Sequence, residues 1–166
     1  MKMDRLDEQI AVHADKYKNN YYRLAYSYVR NQDDALDIVQ ESVVKAISSM
    51  DSLKDPHSTK TWFYRIVVNT SLDFLRKRKR VSPMEEEVLA GLDTGEADRY
   101  EDIDLKKALD QLPDKYRTVV VLRFFEDLKI EEISEILNVN VNTVKTRLYA
   151  SLDKLRLTLD ENSMGV

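Results

Sequence analysis

The 166-residue chain has no cysteine, three glycines, three prolines, one tryptophan and two histidines. Without cysteine there is no disulfide framework and no thiolate metal site. His13 and His57 lie far apart with no ligand spacing around either, so no metal and no other cofactor is expected. No glycine-rich phosphate loop, no nucleophile elbow and no strand-like alternation can be traced. Long apolar runs are missing too: the N-terminus lacks the core of a signal peptide, and nothing approaches the ~20 apolar residues that cross a bilayer. These absences predict a soluble, cytoplasmic, all-α protein, and a hydrophobic fraction of 43% is enough for compact cores.

Acidity is present but local. The net charge is -4, yet residues 1–80 carry 15 Lys+Arg against 11 Asp+Glu, residues 81–105 carry 1 against 9, and residues 106–166 carry 10 of each. An acidic total therefore leaves room for basic surfaces in either half. Periodicity also fades in the acidic stretch, where Ser82-Pro83, Glu85-Glu86-Glu87, Gly91 and Gly95 mark a linker with one helical turn around Met84 to Leu89. Fully extended, such a linker spans ~80 Å at ~3.3–3.6 Å per residue. The expected organisation is two small helical domains, 1–80 and 105–166, joined by a flexible acidic linker over 81–104.

In the first half, Ile10, Ala14, Tyr17, Tyr21, Leu24, Ala25 and Tyr28 predict one amphipathic helix from about Leu6 to Val29. A second, Asp34 to about Met50, is expected to bury Leu36, Val39, Val43, Ala46 and Ile47. It turns Asp34, Asp37, Gln40 and Glu41 outward. Three readings of that strip compete: complementarity to the helix dipole, a divalent-metal site, and a docking face for a basic partner. A third helix buries Phe63, Ile66, Val67, Thr70 and Phe74 and carries a second stripe of Trp62, Arg65, Asn69, Asp73 and Arg76. It ends in five consecutive cations, Arg76 to Arg80. Cations suit a helix C-terminus, but five in a row exceed what capping needs and favour phosphate contact.

In the second half, helices around Ile103 to Gln111 and Asp114 to Phe125 lead into a helix pair from Glu131 to Arg156. Ile133, Ile136 and Leu137 give way at Asn138-Val139-Asn140 to Val141, Val144, Leu148, Leu152 and Leu155, the pattern of a helix-turn-helix. Asn138 tolerates a left-handed turn, Asn140 is a good N-cap, and Lys145, Thr146, Tyr149 and Arg156 stay outside the buried stripe. An ordinary helical hairpin with a solvated face fits this stretch as well.

Together these segments resemble the extracytoplasmic-function (ECF) group of the bacterial sigma-70 family. Residues 34 to 41, Asp-Ala-Leu-Asp-Ile-Val-Gln-Glu, are similar to its region 2.2, and Thr61 to Ile66 with Asn69 and the basic run to regions 2.3 and 2.4. Leu109 to Pro113 with Tyr116-Arg117 resembles region 4.1; Glu132 to Glu135 and Thr143 to Leu148 resemble region 4.2. The resemblance implies a non-enzymatic factor that joins core RNA polymerase, with partners in the beta-prime coiled coil and the beta flap, and directs it to promoter DNA. It assigns Asp34, Asp37, Gln40 and Glu41 to polymerase docking. It assigns Leu53, Ser58, Trp62, Arg65 and Asn69, with Arg76, Arg78 and Arg80, to the −10 element. Lys145, Thr146 and Tyr149, with backbone contacts from Arg147 and Arg156, fall to the −35 element. An anti-sigma factor, membrane-linked in many members, is implied as well.

Three positions depart from the family pattern. Asn138 replaces a glycine, Lys129 stands where Ser or Thr commonly caps the first motif helix, leaving Asp127 as the candidate cap, and Lys145 replaces an arginine. The rival readings are a stand-alone helix-turn-helix regulator, which explains only the second half, and a metal-dependent nuclease built on Asp34, Asp37 and Glu41.

Overall fold

The computed structural model describes residues 2–53, 55, 58–81 and 100–164. Among them every regular element is helical: α1 (Lys2–Lys16), α2 (Lys18–Val29), α3 (Gln32–Ser48), a 3-10 turn (Met50–Ser52), α4 (Thr59–Val81), α5 (Tyr100–Gln111), α6 (Asp114–Val120) continuing as a π-turn (Val121–Phe125), α7 (Ile130–Leu137) and α8 (Val141–Met164). The acidic stretch 82–99, with the turn expected around Met84 to Leu89, lies outside the described residues.

The single helix expected from Leu6 to Val29 is divided at Tyr17, where φ is −108° and ψ 18°. No proline or glycine causes this. Three rings converge at the break, His13 lying 4.7 Å from Tyr17 and 5.8 Å from Tyr21 between centroids, with Tyr21 stacked on Phe63 of α4 at 4.3 Å. Packing of this aromatic cluster overrides helical periodicity. At the far end of α2, Arg30 takes a left-handed conformation (φ 51°) and donates its N–H to the Tyr26 carbonyl at 2.8 Å. Asn31 then caps α3, its side-chain oxygen accepting from the Asp34 N–H at 2.9 Å, a contribution of about 1 kcal/mol that offsets the unfavourable φ before it.

Helix α3 is rotated from its expected register. Its buried residues are Ala35, Ile38, Ser42 and Ala46, whereas Leu36 is exposed and Val39, Val43 and Ile47 are half-buried. The small residues let α2 and α4 approach closely, and the Ser42 hydroxyl is satisfied by donation to the Ile38 carbonyl at 2.7 Å.

The two halves, expected as two small domains joined by a flexible linker, are packed together. α7 lies against α4 and α6 against α2, and one continuous apolar core runs from Ile10 to Leu155. This contact explains why Tyr64 and Ser71 of α4 are buried in addition to the expected Phe63, Val67 and Thr70. Polar bonds cross the same seam. Arg30 donates to the Asp110 carbonyl at 2.6 Å, and Arg23 to the Phe125 carbonyl at 3.1 Å and to Glu126 Oε2 at 2.8 Å. Arg117, only 3% exposed, donates to the carbonyls of Leu109 (2.7 Å), Asp110 (3.0 Å) and Leu112, to Asp114 Oδ1 (2.9 Å), and across the seam to the Ser27 carbonyl (2.5 Å). Leu109 and Asp110 lie in the last turn of α5 and Leu112 follows it, where carbonyls run out of partners within the helix, though Leu109 also accepts the Leu112 N–H at 3.1 Å.

Candidate functional site

On α3 the acidic strip faces outward as expected. At about 100° per residue, Asp34, Asp37, Gln40 and Glu41 fall within a sector of about 120°, and Asp37, Gln40 and Glu41 are exposed. Asp34 differs, because Arg78 Nη1 approaches its Oδ2 to 3.6 Å. Partial burial pushes the Asp34 carboxyl above its ordinary value, and the Arg78 charge opposes this. Lys45 bridges Glu41 (3.6 Å) and Asp73 of α4 (3.8 Å), pairs too exposed to contribute more than about 1 kcal/mol. Among the described residues no three His, Asp or Glu side chains gather into a metal-holding group, so the nuclease reading has no ligand set there.

On α4 the second stripe is brought together along one side. Arg65 and Asn69 are exposed beside half-buried Trp62, with half-buried Leu53 and exposed Ser58 in the connector before the helix. Trp62 is fixed rather than free: its indole N–H donates to the Ser52 hydroxyl at 3.0 Å, and its ring meets Phe63 edge-on at 6.5 Å. Nothing in the sequence marks Ser52 as the anchor of this ring. Arg76 is exposed and bonds Asp73 at 3.0 Å. Arg78 does not join the stripe; it lies about 160° around the helix from Trp62 and turns to Asp34. The Arg80 side chain lies outside the described residues.

On α8, Lys145, Tyr149 and Arg156 line one exposed face within about 40° of each other. Thr146 stands at its edge and donates to the Asn142 carbonyl at 2.9 Å. Arg147 is not on that face. It sits about 200° around from Lys145, half-buried, and its charge acts on Tyr28 of α2, whose hydroxyl burial pushes up to about 12. The helix is started by Asn140, which accepts from the Thr143 N–H at 2.7 Å and the Thr143 hydroxyl at 2.9 Å. The preceding turn has Asn138 left-handed (φ 56°, ψ 46°) and closed by the Ser134 hydroxyl on the Val139 carbonyl at 2.5 Å. Asp127, the candidate cap of α7, is instead left-handed itself (φ 54°) and two residues too early; the Glu132 carboxylate accepts the Lys129 N–H at 2.9 Å and closes that end.

Two family models cover most of the chain: Sigma-70 region 2 matches residues 14–81, and Sigma-70, region 4 matches residues 102–155. The chain belongs to the sigma-70 family. Similar curated proteins place this sigma factor in the ECF group. It is 53% identical over 149 residues to the RNA polymerase sigma factor SigV of Bacillus subtilis (strain 168), covering 90% of each chain. It is 36% identical over 160 residues to the ECF RNA polymerase sigma factor SigW of the same organism, covering 87% and 86%. Its fold is shared with the sigma factor RpoE in a co-crystal with the anti-sigma factor NepR from Bartonella quintana: TM-score 0.74, 23% identity, 92% of this chain and 98% of that one.

Within the sigma factor, α3 and α4 both fall in the region 2 match, and α6, α7 and the first half of α8 in region 4. Helical periodicity gives no task to Arg117, Arg23 or Glu126. A lone arginine inside the apolar run from Tyr116 to Leu122 was the available signal, since a cation placed there must find many acceptors or stay out of the core.

Proposed function

We propose that this sigma factor docks core RNA polymerase through the acidic strip of α3 and directs initiation by contacting the −10 element with α4 and the −35 element with α8. One observation carries the reading: a single chain presents three exposed polar faces, on α3, α4 and α8, that its own core does not require. Asp37, Gln40 and Glu41 meet a basic surface of the beta-prime coiled coil, and the region 4 half meets the beta flap. Asn69 with Leu53 and Ser58 receives a base taken out of the stack, an extrusion that costs a few kcal/mol and needs a fitted pocket. Trp62, steadied by Ser52, borders that pocket, and Arg65 and Arg76 hold phosphates. Lys145 and Tyr149 enter the major groove, with Thr146 and Arg156 beside them. Lysine there acts as a point charge, without the bidentate fork of arginine.

The protein works in the cytoplasm as an initiation factor, not an enzyme, in a stress or envelope response under an anti-sigma factor; RpoE with NepR is a solved example of such a pair. On polymerase the domains 1–80 and 105–166 part along their seam, with 81–104 as the tether. Reconstituted transcription with core polymerase on a promoter library tests this. Selective initiation that depends on the protein is expected, with weak duplex binding by the protein alone. A stand-alone regulator would bind duplex tightly without polymerase, and absence of selective initiation overturns the proposal.

A further inference from the structure

We propose that Arg78 belongs to the polymerase-docking face and not to the DNA face: it is a positioning residue that holds the Asp34 carboxylate at the head of the acidic strip. The inference rests on the docking role given to α3 above.

Three observations separate Arg78 from the rest of the basic run. It lies about 160° around α4 from Trp62, whereas Arg65, Asn69 and Arg76 fall within about 60° of that residue. Its side chain is 17% exposed, against 68% for Arg76 two residues before it. Its guanidinium stands 3.6 Å from Asp34 Oδ2, and the Asp34 side chain is itself only 26% exposed. The pair therefore ties the C-terminal end of α4 to the first turn of α3. Being largely withdrawn from water, it is screened less than the open pairs formed by Lys45.

The local backbone adds to the fixing of Asp34. Its N–H is held by Asn31, and its carboxylate sits in the first turn of α3, where the helix dipole favours negative charge. Arg78 engages Oδ2, which leaves Oδ1 to accept from a donor on the partner. The strip thus offers two kinds of group to a basic groove. Asp37 and Glu41 are exposed charges that steer approach; Asp34 is an acceptor oriented before contact, so less side-chain freedom is lost on binding.

The test uses the full chain and two measurements: affinity for core polymerase, and the salt dependence of promoter binding by holoenzyme formed at saturating core. Arg78→Gln is expected to weaken core binding about fivefold, Arg78→Lys to restore most of it, and Asp34→Asn with Arg78→Gln to be no worse than Asp34→Asn alone. The slope of log affinity against log salt should not change in Arg78→Gln. A phosphate contact would lower it by about 0.7–0.9. Such a fall, additive losses in the double variant, or unchanged core affinity in Arg78→Gln would each overturn the assignment. If the wild-type protein does not bind core polymerase, it is the functional reading that fails, before any variant is compared.

Discussion

Replacing Arg117 by methionine removes the guanidinium while keeping most of the aliphatic volume. The wild-type group donates to four carbonyls and one carboxylate, and three of those carbonyls end α5. A hydrogen bond to a charged group contributes about 1.5–3 kcal/mol net, but five such terms cannot be added, because burying the cation is itself costly. That cost is visible in the guanidinium, whose pKa is lowered by burial and by the charge of Arg30. Methionine relieves the desolvation yet leaves the Ser27 and Leu112 carbonyls without this donor, while Leu109 keeps the Leu112 N–H and Asp110 keeps Arg30, so a net loss of about 2–4 kcal/mol is expected. At about 2–4 °C per kcal/mol for a chain of this size, Tm falls by roughly 10 °C. Arg117→Lys keeps the charge but offers three donors from one point and should recover less than half of the loss. Thermal and urea unfolding followed by circular dichroism measure both. A loss under about 1 kcal/mol for Arg117→Met, or full stability for Arg117→Lys, would refute the account of α5 as a helix capped by this side chain.

Two further outcomes follow from the same half. Burial pushes the Glu126 carboxyl above its ordinary 4.5, opposed by Arg23 and Lys60, so ionising it costs the folded state. The stability of the wild type relative to Glu126→Gln is then greatest below about pH 4.5 and declines as pH rises through the raised pKa; urea midpoints from pH 4 to 7 should converge or cross, and a constant or widening gap would contradict this. At Asn138, φ of 56° predicts that alanine costs about 1 kcal/mol while glycine stays within about 0.5 kcal/mol of the wild type. Equal melting of Asn138→Ala and wild type would show that the left-handed turn is not populated.

Helix type and order could be read from the chain because apolar spacing at 3.6 residues survives in every segment, and the turn at Asn138 with the cap at Asn140 follows from two side chains that act locally. What could not be read depends on contacts between distant residues. Tyr17 breaks the first helix because rings from α1, α2 and α4 meet there. Leu36 is exposed because small residues on the neighbouring face let α3 rotate toward α4. The exposure of Asp37, Gln40, Glu41, Arg65, Asn69, Lys145 and Tyr149 was legible because each falls off a buried stripe. Arg78 and Arg147 lie off the stripes of their neighbours for one reason: the order of charges along a chain says nothing about which of them turns toward a carboxylate or a neighbouring helix.

The arginine contacts across the seam set side-chain donors against main-chain acceptors. The arginine hydrogen bonds that cross it run from Arg23, Arg30 and Arg117, and apart from the Glu126 carboxylate each lands on a backbone carbonyl: Phe125, Asp110 or Ser27. A carbonyl is present whatever side chain its residue carries. Sequence drift at those three carbonyl positions therefore leaves these contacts standing so long as the helices keep their course, whereas loss of an arginine removes its own. Among these polar contacts the vulnerability of the closed form lies in three side chains, and a mutational scan for opened variants should find Arg23, Arg30 and Arg117 among its polar hits.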